Sequence, residues 1–179
     1  MSKQHVMLDI ETFGKGSFAA IVSIGAVKFD PYGDLGEKFY CRVNLKSSLD
    51  VGLRLDAETL AWWLDEERHD ARVALLKDPA VDIQNALEGF AAWVTSSGDP
   101  VVWGNGATFD NVIVANAYLA CGIERPWKVQ HDRCFRTLKA MANDAPKPEA
   151  VGTGHHALDD AVWQALYLQA IVKHNNFKL

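Results

Sequence analysis

Alternation of apolar and polar positions organises the first 45 residues into three runs, HVMLDIET (5–12), AAIVSIGAVKF (19–29) and GEKFYCRVNL (36–45). DPYGDL separates the last two and carries the turn formers Pro31 and Gly33, so the pattern predicts an antiparallel meander. Helical spacing then takes over. Asp56 is a plausible N-cap for a helix that places Leu60, Trp63 and Leu64 on one stripe. In DIQNALEGFAAWVTSS (82–97), Ile83, Leu87, Phe90, Ala91 and Val94 share a face, and Gly98 and Pro100 close the segment. VVWG (101–104) reads as a buried strand, NVIVANAYLACG (111–122) as a helix ending near Gly122, and WKVQHD (127–132) as a shorter strand. DRCFRTLKAMAN (132–143) reads as a helix. DAPKPEAVGTG (144–154) is a Pro/Gly-rich connection expected to move until ligands bind. HALDDAVWQALYLQAIVKH (156–174) closes the chain as a helix with Leu158, Val162, Ala165, Leu166 and Gln169 along one stripe. A meander followed by alternating β and α segments predicts an α/β fold: a mixed β-sheet with an N-terminal antiparallel meander and helices on both faces.

The 179 residues, 49% hydrophobic and 23% charged, fit one domain over 1–179 with a substantial core. Cys41, Cys121 and Cys134 are odd in number and show no CxxC spacing, which argues against a disulfide framework or a zinc site. The first residues pass into a core strand without a charged leader, and no apolar run reaches spanning length. A cytoplasmic protein without a membrane partner is therefore expected. The net charge of −5 speaks against a long nucleic-acid footprint. An enzyme that grips one end of a strand needs few phosphate contacts, and bound divalent ions would offset much of that charge.

Three islands carry the candidate chemistry: Asp9 and Glu11 in VMLDIETFG, Asp110 in GNGATFDN, and His155 with Asp160 in GHHALDDA. Residues two apart on a strand share a face, so Asp9 and Glu11 can point at one spot. Carboxylate oxygens suit hard cations such as Mg²⁺, and the set reads as a two-metal nuclease site. Bland readings exist for each island: a strand-end salt bridge for Asp9 and Glu11, a helix N-cap for Asp110, ordinary loop histidines for His155 and His156. A carboxylate in an apolar strand is costly to desolvate, which calls for a reason. His156 and Asp159 are the decoys beside His155 and Asp160.

DIET, N-x-x-x-F-D from Asn105 to Asp110, and H-x-A-x-x-D from His155 to Asp160 resemble, in order, the three motifs of the DEDDh (DnaQ-like) 3′→5′ exonucleases. SIGAVKFDPYGDLGEKFY and DAETLAWWL look closest to the branch of phage exonuclease A and the ribonuclease AS-like exoribonucleases. The resemblance implies an RNase H-like fold, two Mg²⁺ ions for which Mn²⁺ may substitute, and often a homodimer. It also implies roles: Asp9 bridging both ions, Glu11 and Asp160 completing one coordination sphere, Asp110 holding the other, and His155 as general base. Imidazole suits that work because it changes charge near neutral pH. The implied partner is the 3′ end of single-stranded or overhanging RNA or DNA, with RNA slightly favoured. A proofreading or repair exodeoxyribonuclease is the rival within enzymes, and a catalytically silent nucleic-acid-binding domain the rival outside them.

Around the acidic set, Thr12, Phe13 and Gly14 could meet the terminal nucleotide, or form a tight turn with Phe13 in the core. Trp62 and Trp63 lie roughly 100° apart on a helix, so one is free when the other is buried. Trp63 shares the apolar stripe, leaving Trp62 as a stacking platform, a dimer contact or a ring under a neighbouring loop. Asn105 and Phe109 could shape the sugar pocket, or Phe109 could be core. Arg133, Arg136 and Lys139 are expected on one helix, either steering phosphate or decorating a solvated face.

Overall fold

The sheet is built around its first strand. In the computed structural model, which describes residues 3–142 and 144–179, five strands follow the order β3-β2-β1-β4-β5. They are β1 (Lys3–Thr12), β2 (Ile21–Phe29), β3 (Leu35–Arg42), β4 (Asp99–Gly104) and β5 (Asp132–Cys134). The first three pair antiparallel, as the meander predicts, whereas β4 joins β1 in parallel and β5 joins β4 in parallel. Every residue of β2 is buried, which explains why its sequence reads as a nearly continuous apolar run.

The pleat of β1 splits the core in two. Val6, Leu8 and Ile10 face a cluster with α4 (Ile83–Thr95) and α5 (Asp110–Ala120), to which Ile83, Leu87, Phe90, Val94, Ile113 and Ala117 belong. Met7 faces the other side, where α6 (Phe135–Met141) and α7 (Ala157–Asn175) contribute Phe135, Ala161, Ala165, Leu168 and Ile171. Each fully buried Leu or Ile contributes about 2 kcal/mol, so both layers are firmly seated. This is the mixed sheet with helices on both faces that the pattern predicts. Asp9 and Glu11 have the parity of Met7 and therefore lie on the α7 side.

Several expectations are corrected. The third run stops as a strand at Arg42, and Leu45–Asp50 forms α1, capped by the Asn44 side chain accepting from Lys46 N–H. α2 (Ala57–Leu64) has the predicted Asp56 cap, which accepts from Thr59 N–H at 2.7 Å. Leu64, however, is 67% exposed. The Trp63 indole N–H donates to Thr12 O at 3.0 Å and sets the rotation of this short helix, turning Leu64 outward. An unpredicted helix, α3 (His69–Leu76), follows, and Arg72 on it donates to the Trp63 and Asp65 carbonyls, closing the end of α2.

WKVQHD is not a strand. Val129–His131 is a 3₁₀ turn and pairing begins only at Asp132, whose carboxylate is gripped by Asn111, Trp127 and Arg125. The sixth helix starts at Phe135 and ends at Met141, and Asn143, the predicted terminus, lies outside the described residues, as do Met1 and Ser2 at the predicted leaderless start. On α7, Val162 and Ala165 are buried as predicted, but Leu158, Leu166 and Gln169 are half-buried. Gln169 instead donates to the Asp30 and Gly33 carbonyls of the hairpin turn. The connection before α7 is tied down: Ala145 is buried and the Trp163 indole N–H donates to Pro148 O at 3.3 Å.

Candidate active site

Parallel pairing of β1 with β4 ends at Leu8 opposite Gly104, so Asp9, Ile10 and Glu11 run past the end of β4. A crevice at the carboxyl ends of parallel strands is the usual ligand position in an open α/β sheet. Asp110 enters it from the turn after β4. It is the first residue of α5, and Phe109 occupies the N-cap position without a side-chain cap bond, so Asp110 is not spent as a cap.

The third island arrives by close packing. Gly25 on β2 pairs with Asp9, and a Cβ there would sit 2.2 Å from the Ala157 carbonyl carbon and the Leu158 nitrogen. Only glycine lets the start of α7 lie on the sheet beside the β1 carboxylates. One ligand-competent atom each from Glu11, His155 and Asp160 then falls within 4.8 Å of the others. His155 adopts a left-handed backbone, φ 61°, and its N–H donates to the Asp160 carboxylate at 3.0 Å.

Electrostatics bind the carboxylates into one group. Burial raises Asp9 well above the ordinary carboxylate range, and Asp110, Glu11 and Asp160 push it further. Glu11 is pushed up to about 8 by burial and then by Asp160 and Asp110. Asp110 rises to about 7 through burial, against backbone N–H groups and Arg136 that favour its charged form. Asp160 is also raised, again chiefly by burial. Among the described residues no lysine or arginine forms a salt bridge with any of the four. Glu11, His155 and Asp160 are the set whose ligand atoms come together. Asp9 and Asp110 stand outside that triad and join it through charge, and oxygen donors so placed without a salt-bridged cation fit divalent metal ions.

The decoys separate cleanly from their twins. His156 Nδ1 lies 3.3 Å from Asp159, its ring packs on Tyr40 at 4.5 Å, and Asp159 accepts from Thr153 N–H at 2.9 Å. Both hold the loop. Gln164, one helical turn beyond Asp160, was not singled out by the sequence pattern; it is 3% exposed and donates to Asp9 Oδ1 at 2.7 Å. A buried amide four residues after a candidate ligand, on the same helix face, was the available signal.

Around this set, Glu11, Thr12, Gly14, Trp62 and Phe109 line one cavity of about 380 Å³. Trp62 sets its ring edge-on to His155 at 4.9 Å, with the Arg68 guanidinium 4.5 Å over it. Thr12 is buried and its hydroxyl donates to Gly14 O at 2.7 Å. Gly14 packs against the Arg54 carbonyl, where a Cβ would come within 2.8 Å. Phe13 turns away and meets Trp63 edge-to-face at 5.8 Å. Asn105 has a buried side-chain oxygen without a partner, and its carbonyl accepts from Arg136. Phe109 also packs on the core. Arg133 is on β5 rather than on a helix with Arg136 and Lys139, and its guanidinium donates to the Gln130 and Asp132 carbonyls.

Solved structures share this architecture. The nuclease domain of 3′hExo, a DEDDh family member bound to rAMP, is 11% identical with a TM-score of 0.64, over 96% of this chain and 92% of that one. Exonuclease X in complex with 5′ overhanging duplex DNA is 16% identical with a TM-score of 0.57, over 97% and 94%. S. pombe Pop2p in its Mg²⁺- and Mn²⁺-bound form is 13% identical with a TM-score of 0.54, over 94% and 82%. At such identities the likeness establishes the fold, RNase H-like. No curated protein sequence matches the chain. A family model described as 3′-5′ exoribonuclease Rv2179c-like domain matches residues 4–172. The chain therefore belongs to the Rv2179c-like 3′-5′ exoribonuclease domain family.

Proposed function

We propose that residues 1–179 act as one two-metal 3′→5′ exonuclease domain that releases nucleoside 5′-monophosphates from single-stranded or overhanging 3′ ends, with RNA favoured. The observation that carries this reading is that Glu11, His155 and Asp160 each bring a ligand-competent atom within 4.8 Å of the others, while the charges of Asp110 and Asp160 reach both Asp9 and Glu11. The four carboxylates would hold Mg²⁺, or Mn²⁺ in its place, at the end of β1, with Glu11 and Asp160 the two whose oxygens come closest together. Bound there, the ions would activate a water and stabilise the leaving 3′ oxygen.

The chain's own residues do the rest. His155 accepts the proton of the attacking water at a ring nitrogen, and its backbone bond to Asp160 keeps the ring at the metal edge of the cleft. Trp62 and Phe109 offer aromatic surface to the terminal base, which suits a sequence-tolerant grip. Thr12 and Gly14 shape the backbone beneath it, and Asn105 presents an unpaired oxygen at the turn before Asp110.

The RNA preference is supported by the description of the matching family as exoribonuclease. Digestion of labelled RNA and DNA strands with and without Mg²⁺, each also with a blocked 3′ end, tests the reading. Mg²⁺-dependent shortening of unblocked RNA is expected. Cleavage of blocked strands would contradict exonucleolytic polarity, faster loss of DNA would favour the exodeoxyribonuclease alternative, and inertness of both would favour the silent binding domain. We place the enzyme in the cytoplasm as a homodimer, for which the exposed Leu64, Val73 and Leu76 of α2 and α3 are available apolar contacts. No helix among the described residues is long and apolar enough to cross a membrane.

A further inference from the structure

Positive charge collects at one place beside the cleft. Arg136 and Lys139 on α6 and Lys147 from the connection before α7 converge on an open hollow of about 360 Å³, whose aromatic wall is Trp163 and Tyr167. Among the described residues none of the three cations forms a salt bridge. In a chain of net charge −5, three unneutralised cations around one hollow call for an anion. Partial burial holds the Lys139 ammonium below its usual range, and the neighbouring charges of Arg136 and Lys147 push it the same way.

The hollow connects to the acidic site through Arg136. Its guanidinium donates to Asn105 O at 2.8 Å, on the turn that delivers Asp110, and its charge reaches the Asp110 carboxylate. From there the cations lead away between α6 and α7. Trp163 is fixed by its bond to Pro148 O and lies 5.4 Å from the Tyr167 ring, so the wall is preformed.

We infer that this hollow binds the sugar-phosphate backbone of the strand being degraded, on the 5′ side of the bond that is cut, with Lys139 and Lys147 on phosphate oxygens and Trp163 against a base or ribose. The inference rests on the exonuclease reading above and adds a length-sensing subsite to it. Lysines act on phosphate as point charges and read no base edge, and an aromatic wall accepts any base. The subsite is therefore blind to sequence, and it rewards strands long enough to reach it.

The test compares a dinucleotide with a 12-nucleotide RNA, using the full chain with Mg²⁺, for wild type and for the double variant Lys139→Gln/Lys147→Gln. Arg136 is left in place because it also braces the Asn105 turn. Two lost counterion-releasing contacts, at a salt slope of about 0.7 each, should raise KM for the long strand roughly tenfold or more at 50 mM salt. The ratio of long-strand to dinucleotide kcat/KM should fall by the same factor, and the salt dependence of long-strand KM should flatten. Anisotropy of the labelled 12-mer, with Ca²⁺ in place of Mg²⁺, should show the same loss of affinity. Lys38→Gln/Lys77→Gln, which removes equal charge from exposed positions elsewhere, should keep the wild-type ratio. An unchanged ratio and unchanged anisotropy in the Lys139/Lys147 variant, with wild type active, would overturn the subsite and leave the exonuclease reading standing. Equal losses in both double variants would reduce the effect to net charge and also overturn it. A wild type inactive on every strand would instead remove the exonuclease reading, and the subsite with it.

Discussion

At the scale of single residues, two side chains divide the work that a carboxylate cluster cannot do alone under the proposed mechanism. In that mechanism His155 takes the proton of the attacking water: His155→Ala should lower single-turnover rate by roughly 10²-fold or more, while Mn²⁺ binding by calorimetry stays near wild type. Gln164 supplies orientation. Its amide holds Asp9 Oδ1 and leaves the other carboxylate oxygen free. Gln164→Leu should weaken Mg²⁺ affinity by roughly 10-fold or more, as loss of a bond to a metal ligand does, with Gln164→Asn restoring little because its amide is one carbon short. The meeting of Glu11, His155 and Asp160 was legible in the sequence, because strand alternation put Asp9 and Glu11 on one face and the resemblance to three ordered motifs paired them with Asp110, His155 and Asp160. Gln164 was not: the stripe read from α7 favoured Gln169, whereas the face that meets the sheet is fixed by Gly25, a contact that no one-helix pattern contains. Phe13 and Trp63 resolve in the same way. Which of two adjacent aromatics enters the core depends on where the Trp63 indole finds an acceptor, and that acceptor is the Thr12 carbonyl far away in sequence.

Among the elements, the meander, α4, α5 and α7 were readable because each has a long apolar face with turn or cap chemistry at its ends. α1 and α3, six and eight residues long, escaped because so short a helix offers less than three turns of periodicity, whereas the equally short α2 was marked by its Asp56 cap. β5 escaped because its three residues are held by side-chain bonds to Asp132 rather than by an apolar run. The seat of α7 on β2 is the contact that most directly joins fold to site. A methyl added at Gly25 must push the Ala157–Leu158 backbone away, so Gly25→Ala should cost about 1–3 kcal/mol of unfolding free energy, the usual range for overpacking. It should also weaken Mg²⁺ binding in the surviving folded protein, because Asp160 and Gln164 move with the helix. Wild-type metal affinity in a destabilised Gly25→Ala protein would uncouple the two.

For the whole molecule, the raised carboxyls couple stability to pH and metal. The folded protein keeps protons on Glu11 and Asp110 up to about pH 8 and 7, whereas in the unfolded chain these groups ionise near their ordinary values of 4.5 and 3.8. The folded state thus binds more protons across that window, and stability falls as pH rises through it, by at most about 1.4 kcal/mol per pH unit for each proton retained. Melting temperature in EDTA should decline from pH 5 to pH 8, and saturating Mg²⁺ should raise it more at pH 8 than at pH 5. A flat profile in EDTA would mean that folding does not raise these carboxyls above their ordinary range. The turn at His155 carries a different tension. A left-handed backbone costs a β-carbon-bearing residue about 1 kcal/mol or more, and glycine is exempt. Exchanging this histidine for glycine should therefore yield a hardier molecule that no longer turns over. Selection for heat resistance alone would drift toward that inert form, and under the proposed mechanism the demand for nucleotide release is what keeps imidazole at an uncomfortable position.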